Sequence, residues 1–355
     1  MNVIDIGSQV RKGEELDLSA VDTWLKSRMR NLEGTPLVTQ YTGGASNWTY
    51  RIKYKNADLI LRRPPRGTKA SSAHDMQREY TIQKVLKPFY ALVPEVIDLC
   101  TDLKVIGCDF YIMKRIEGII PRANLPELAN YDTESIHLLC KNMIDELINL
   151  HNTPFKGTDL EVLAKGEGYC HRQVNGWIKR YKKAQTPDVP SFESVFEWLI
   201  KNTPEDIKTT IIHNDWRFDN LILDKNNKTE IIGVLDWELA TLGDPLMDLG
   251  CSLAYWVQDN DSDLLKAMRR QPTHLKGMFS RDEVVNYYLT KTGLKIDNWS
   301  FYELFGLFRL ATIAQQIYYR YFYKETENEE YKNFGIFVNE LYRKCLDIIN
   351  KSLAE

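Results

Sequence analysis

The sequence predicts an α+β protein of two lobes, a small antiparallel β-rich lobe followed by a larger helical one. Two observations predict it. Between Leu37 and Lys114, short runs of β-formers alternate with tight turns, whereas beyond Arg115 apolar residues recur at helical intervals, as at Ile136, Leu139, Met143, Leu147 and Leu150. The change of period puts the boundary near Lys114–Gly118 and divides the chain into residues 1–114 and 115–355. Over 355 residues, a 43% hydrophobic and 27% charged composition supplies ample core for such a unit.

The elements follow in order. Asp17 or Ser19 caps a short helix reaching Arg30, with Val21, Trp24, Leu25 and Met29 near helical spacing. Strands are expected at Leu37–Tyr41, Trp48–Tyr54 and Leu59–Arg63, the last stopped by Pro64-Pro65. Turns this short make the three an antiparallel meander. A helix over Ala73–Phe89 carries Glu79 among Met76, Tyr80 and Leu86, and strands at Glu95–Cys100 and Asp109–Lys114 are joined by a turn through Thr101-Asp102. Further helices are expected at Arg172–Lys183 and Ser191–Ile200. Phe301–Phe322 reads as a buried or amphipathic helix, because Glu303, Arg309, Gln315, Gln316 and Arg320 interrupt it.

Charge and cysteine usage narrow the functional classes. The formal charge is −3, from 46 basic and 49 acidic residues, which gives no general attraction to nucleic acid. Cys100, Cys108, Cys140, Cys170, Cys251 and Cys345 show no C-x-x-C spacing and read as reduced thiols, with Cys170-His171 a weak metal cue lacking a second pair. Met1–Leu16 has no apolar signal core. A cytoplasmic protein with no membrane or nucleic-acid partner is expected.

The chemistry concentrates in His213-Asn214-Asp215-Trp216-Arg217-Phe218-Asp219-Asn220 and in Asp236. An Asp five residues before an Asn, with a later Asp at a strand end, suits phosphoryl transfer. Asp215 orients and deprotonates a hydroxyl, while Asn220 and Asp236 offer hard oxygens to Mg²⁺. The hairpin Leu221–Leu235 brings the two ligands together. His213 is read as a structural hydrogen-bonder; Arg217 and Asp219 remain open between surface and loop-bracing roles. Asp244 and Asp248, flanking a turn that opens a helix, are read as braces of this loop. Upstream, Gly43, Gly44 and Ser46 lie in a turn that brings backbone N–H groups to phosphate, though a Gly-Gly turn also serves as a plain hairpin. Arg62 stands where a Lys holds nucleotide phosphates in kinases, with Glu79 as its helix partner.

The ordered set Gly43-Gly44, Arg62, Glu79, HNDWRFDN and LDWELATLGDPLMDLG resembles the aminoglycoside phosphotransferase family of the protein-kinase-like fold. LILRRPPRG, HRQVNGWIKRY, LDWELATLGDP and FYELFGLFRLATIAQQIYYR resemble, more narrowly, the branch whose kinase domain is also found fused to acyl-CoA dehydrogenases. The resemblance runs from about Val38 to Arg320. It implies ATP- or GTP-dependent phosphorylation of a small-molecule hydroxyl, with Mg²⁺ as cofactor, a nucleotide-binding N-terminal lobe and an acceptor site in the helical lobe. It further implies a hinge at Met113–Arg115 whose backbone meets the base. Asn214 replaces the commoner Gly and Trp216 the commoner Phe, and both are expected to alter substrate access. Trp256, Tyr287, Tyr288, Tyr318, Tyr319 and Arg309 tilt the acceptor toward a partly apolar or anionic molecule such as a hydroxyacyl thioester. An aminoglycoside kinase and an inactive nucleotide-binding module are the alternatives. A protein kinase is disfavoured, since only seven residues separate Asp236 from Asp244.

Overall fold

The computed structural model describes residues 5–41, 47–65, 75–124 and 130–354. Two compact units emerge from it. The first comprises Met1–Ile120, Lys156–Leu160 and Asn220–Ala240; the second comprises Pro121–Phe155, Glu161–Asp219 and Thr241–Glu355.

In the first unit, strands β1 (Leu37–Tyr41), β2 (Trp48–Lys53) and β3 (Asp58–Arg63) form the expected antiparallel meander, with Ile52 opposite Leu59 and Thr49 opposite Arg62. Strands β4 (Val96–Cys100) and β5 (Phe110–Lys114) complete a five-stranded sheet in the order β1-β2-β3-β5-β4. A short helix, Leu103–Ile106, stands in the β4–β5 connection where a simple turn was expected. The period of two along β3 sorts its residues between two cores. Leu59 and Leu61 join Tyr50, Ile52, Phe110 and Ile112 under the helix Leu18–Arg28, which Asp17 caps. Ile60 packs on the opposite face with Met76, Tyr111 and Met113. Arg62 follows Ile60 by two positions and therefore shares its face, where the helix Met76–Leu86 turns Glu79, Ile82, Gln83 and Leu86 inward. Further along the chain, β7 (Leu221–Leu223) and β8 (Ile231–Val234) pair as an antiparallel hairpin, with Leu221 opposite Val234.

In the second unit, β6 (Thr210–Ile212) pairs with β9 (Thr241–Gly243) beside the helix Pro245–Leu253. The helix Ser300–Phe322 is the spine: it packs against Pro245–Leu253, Tyr169–Ala184, Glu193–Asn202 and Phe334–Ala354. Gly250 and Gly306 bring two of these helices into backbone contact, since a Cβ on either would collide with the main chain of the other. That approach fixes the depth and rotation of the long helix, which carries buried Arg309 and Gln315 as the interrupted apolar pattern suggested. No helix among the described residues is long and apolar enough to cross a membrane.

Candidate active site

The polar centre of the first unit is built on Arg62. Its Nε lies 3.1 Å from Glu79 Oε1, and its Nη2 lies 2.6 Å from Asp236 Oδ1 and 3.3 Å from Glu238 Oε2. The sequence-predicted pair Arg62–Glu79 thus exists, and the longer, forked guanidinium also reaches Asp236, two residues beyond β8. Tyr111 donates to Glu79 Oε1 at 2.9 Å, and Gln83 donates to the Tyr111 hydroxyl at 3.0 Å. Burial works against the Arg62 charge, but Glu79, Asp236 and Glu238 more than offset it and hold its pKa well above the ordinary value. Burial raises the pKa of Glu79, which faces this one guanidinium and the Tyr111 hydroxyl; Arg62 reverses the rise only in part.

The β7–β8 register sets Asn220, just before Leu221, and Asp236, just after Leu235, at the same open end of the hairpin, where Leu235 N–H donates to the Asn220 carbonyl at 2.7 Å. Asp236 turns there through a left-handed conformation, φ 63°, which Asp tolerates better than most residues. Arg62 occupies its Oδ1, while Oδ2 has no protein partner among the described residues. A partly exposed Asp236 carboxylate oxygen and an excess of carboxylates around Arg62 form a hard donor set that fits Mg²⁺.

Three residues of this centre escaped the sequence reading. Glu238 accepts from Asn47 Nδ2 at 2.9 Å as well as from Arg62, and Arg78 clamps the carbonyls of Glu238 and Ala240. Glu238 could have been found, since it stands two residues after Asp236 and is the next acid in that segment. Asn47 and Arg78 carry no local signal.

In the second unit, the loop around Asp215 is held mainly through its main chain. Asp248, fully buried, accepts from the N–H groups of His213 and Asn214, each at 2.7 Å, and lies 3.1 Å from His151 Nε2, whose Nδ1 meets the Tyr288 hydroxyl at 2.6 Å. Burial pushes the Asp248 pKa up, but His151 and the N–H donors outweigh it, so the carboxyl stays below its ordinary value. Burial likewise depresses His151. His213 Nδ1 accepts from Asp215 N–H at 3.2 Å. Asp244 caps the helix that follows, accepting from Leu246, Met247 and Ile207, and burial raises its pKa to about 6. Asp215 keeps its side chain partly accessible, 3.1 Å from Arg217, which also lies 3.1 Å from Asp219 and stacks on Tyr255. Arg217 and Asp219 are only 11% and 12% exposed, so the open choice falls on bracing.

Several expectations change. Trp216 is fully buried, donating to the Met143 carbonyl, and lines no access path. The residues read as acceptor-facing serve structure instead: Trp256 donates to Phe279, Tyr288 holds His151, Tyr287 meets Asp145, Tyr318 meets Asp188, Tyr319 packs at a tilt on Tyr323 and Arg309 bonds Asn214. Aromatic residues on helices are filling and bracing a core, and supply no acceptor preference. Met113 is buried between sheet and helix. Arg115 donates its N–H to Asp58 and its guanidinium to Tyr41, Asp58 and Asp5. Gly43, Gly44 and Ser46 lie outside the described residues.

The fold is protein-kinase-like, and comparison with known proteins agrees. Residues 37–283 match the model of the phosphotransferase enzyme family, APH, and the chain belongs to that family. Acyl-CoA dehydrogenase family member 10 of Mus musculus is 36% identical over 314 residues, which cover 88% of this chain and 29% of that protein. The chain spans less than half the length of the curated relatives it matches. A solved structure from Ralstonia eutropha JMP134, provisionally assigned as an aminoglycoside phosphotransferase, superposes with a TM-score of 0.79 at 25% identity, covering 95% of this chain and 99% of that one. ADP-bound aminoglycoside phosphotransferase APH(2'')-Ib shares the fold, with a TM-score of 0.59 at 15% identity over 92% of this chain and 98% of its own.

Proposed function

We propose that this protein moves the γ-phosphoryl group of ATP or GTP to a hydroxyl of a small molecule. The observation that carries the reading is Arg62, whose guanidinium binds both the helix carboxylate Glu79 and Asp236. In this reading residues 1–114 form the nucleotide-binding lobe and residues 115–355 the acceptor lobe. Asn220 and Asp236 would hold Mg²⁺, which would neutralise charge on the nucleotide phosphates. Arg62 orients the phosphates. Asp215 aligns the acceptor hydroxyl and takes its proton as the new O–P bond forms and the bond to the departing nucleoside diphosphate breaks. The backbone near Met113–Arg115 and the turn with Gly43, Gly44 and Ser46 are proposed to meet the base and phosphates.

For the acceptor, a hydroxyacyl-CoA-like molecule is favoured over a polycation. Arg217 and Arg270 lie beside Asp215 and Asp219 in the second unit and offset their negative charge, which disfavours a polycationic acceptor there. The name of the murine relative points the same way. A cytoplasmic setting, without membrane or nucleic-acid partners, accords with six free cysteines and a net charge of −3.

A screen of Mg²⁺-dependent ADP and GDP release across hydroxyacyl-CoAs, aminoglycosides, sugars and amino alcohols tests the proposal. Acceptor-dependent release should fall by about 10³-fold in Asp215→Asn and in Asp236→Ala, with folding intact. Full turnover in either variant, or tight nucleotide binding with no acceptor-dependent release in the wild type, would leave a nucleotide-binding module in its place.

A further inference from the structure

Arg309 is a charge in an expensive place. It lies on the helix Ser300–Phe322, is only 4% exposed, and forms no ion pair among the described residues. Asp215 opposes its charge without a direct ion pair, and an apolar or amide residue would pack the helix at less desolvation cost. What Arg309 does hold is specific. Its Nη2 donates to the Asn214 carbonyl at 2.8 Å, and its guanidinium lies 5.2 Å from the Trp177 ring centroid. Trp177 carries Arg180 at 4.6 Å as well, and its Nε1 is fixed by Gln173.

The Asn214 carbonyl belongs to the peptide plane that enters Asp215. The N–H of that plane donates to His213 Nδ1 at 3.2 Å, so both polar groups of the plane are held. A planar, rigid peptide gripped at its two ends fixes the direction in which the Asp215 chain leaves it. Asn214 itself stands at φ 65°, a left-handed conformation uncommon for residues other than glycine. Its side-chain oxygen accepts from Tyr169 at 3.1 Å and its N–H donates to Asp248. The N–H, carbonyl and side-chain oxygen of Asn214 are therefore all held in this strained turn. The Gly250–Gly306 approach delivers Arg309 to the carbonyl from one turn away on the same helix.

We propose that Arg309 is a positioning residue for Asp215, acting through the Asn214–Asp215 peptide plane. This rests on the reading of Asp215 as the group that aligns the acceptor hydroxyl. The required function of the guanidinium is a hydrogen bond delivered in a fixed direction, which a lysine ammonium can replace in part and a methionine cannot.

The test needs two readouts, one of them independent of turnover. Protein labelled with 5-fluorotryptophan reports Trp216, adjacent to Asp215, by fluorine NMR, the resonance being assigned among the eight tryptophans by Trp216→Phe. Acceptor-free hydrolysis of Mg²⁺-ATP reports how well Asp215 is placed toward water. Arg309→Met should shift or split the Trp216 resonance and slow hydrolysis by about 10-fold or more, with Arg309→Lys restoring both in part. A Trp216 resonance unchanged in Arg309→Met, or a lysine variant as damaged as the methionine one, overturns the proposal. Should Arg309→Met fail to fold, Arg309→Lys is judged against the wild type: a displaced resonance with a reduced rate is expected, and wild-type values in both overturn it. If the wild type hydrolyses no ATP without acceptor, the kinase reading stands or falls on the acceptor screen above, and the fluorine resonance alone decides what Arg309 holds.

Discussion

Glu79 in the first unit and Asp248 in the second are both buried carboxylates beside proposed chemistry, and their proton affinities move in opposite directions. Burial pushes both upward. The difference lies in what opposes it. Glu79 meets one guanidinium, shared with Asp236 and Glu238, and one phenol, and its Oε2 finds no hydrogen-bond partner among the described residues. Asp248 meets two backbone N–H groups and a histidine ring whose other nitrogen is itself bonded. Oriented main-chain donors cost no side-chain entropy and cannot turn to another acceptor, so they compensate burial where a shared guanidinium does not. The first centre keeps an unspent carboxylate charge that a bound cation or phosphate can rearrange. The second is a fixed mount.

The sharpest way to break this contrast is Asp248→Asn. The amide keeps the shape but presents an NH₂ to one of two N–H groups, leaving a buried donor unpaired. Stability should fall by about 2–3 kcal/mol at neutral pH, and turnover by about 10²-fold. The sign of the pH dependence follows from a folded pKa below the unfolded one. The Asp248 contribution is complete above the unfolded value of about 3.9 and is lost as pH falls through the folded one. Denaturant unfolding should therefore show the two proteins converging in acid; a gap that widens there would refute the account.

Glu79→Gln should behave otherwise. Its folded pKa lies above the unfolded value of about 4.3, so its contribution is complete below that value and is lost as pH rises through the folded one. Relative to wild type, the glutamine variant should gain stability as pH rises and lie within about 1 kcal/mol of it at neutrality. Turnover should nevertheless drop by about 10-fold, because Arg62 loses the partner that orients it. A variant that loses several kcal/mol at neutral pH would show that the pair is a structural mount like Asp248.

Much of this was legible in the sequence wherever function is written locally. The apolar runs flanking His213–Asn220, the hairpin that returns Asp236, the period of two that points Arg62 toward the Glu79 helix and the cap at Asp244 all follow from neighbours within a few residues. What could not be read depends on long-range approach. Arg309 reaches Asn214 across 95 positions, His151 reaches Asp248 across 97 and Arg78 reaches Glu238 across 160. None has a periodic or spacing signal, because each contact is set by helix packing such as the Gly250–Gly306 approach. The same gap explains the misreading of Trp256 and Tyr288 as acceptor-facing: helical aromatics look alike in sequence whether they line a pocket or brace a histidine.

The smallest expected effect tests how the first centre is tuned. Tyr111→Phe removes the hydroxyl that donates to Glu79 and accepts from Gln83, leaving the ring in the cluster with Ile60, Met76 and Met113. Two buried hydrogen bonds are lost, yet the carboxylate that loses one is already poorly compensated. The net cost should be about 1 kcal/mol. With one donor fewer, the Glu79 pKa rises further, so the acid limb of turnover should move to higher pH while the rate on its plateau changes by less than about 3-fold. Glu79→Gln, having no proton to lose there, should abolish the sensitivity to the hydroxyl, and the double variant should match the glutamine variant alone. Additive losses in that double-mutant cycle would mean that Tyr111 acts on Arg62 by a route other than Glu79, and the tuning would have to be assigned to Asp236 and Glu238.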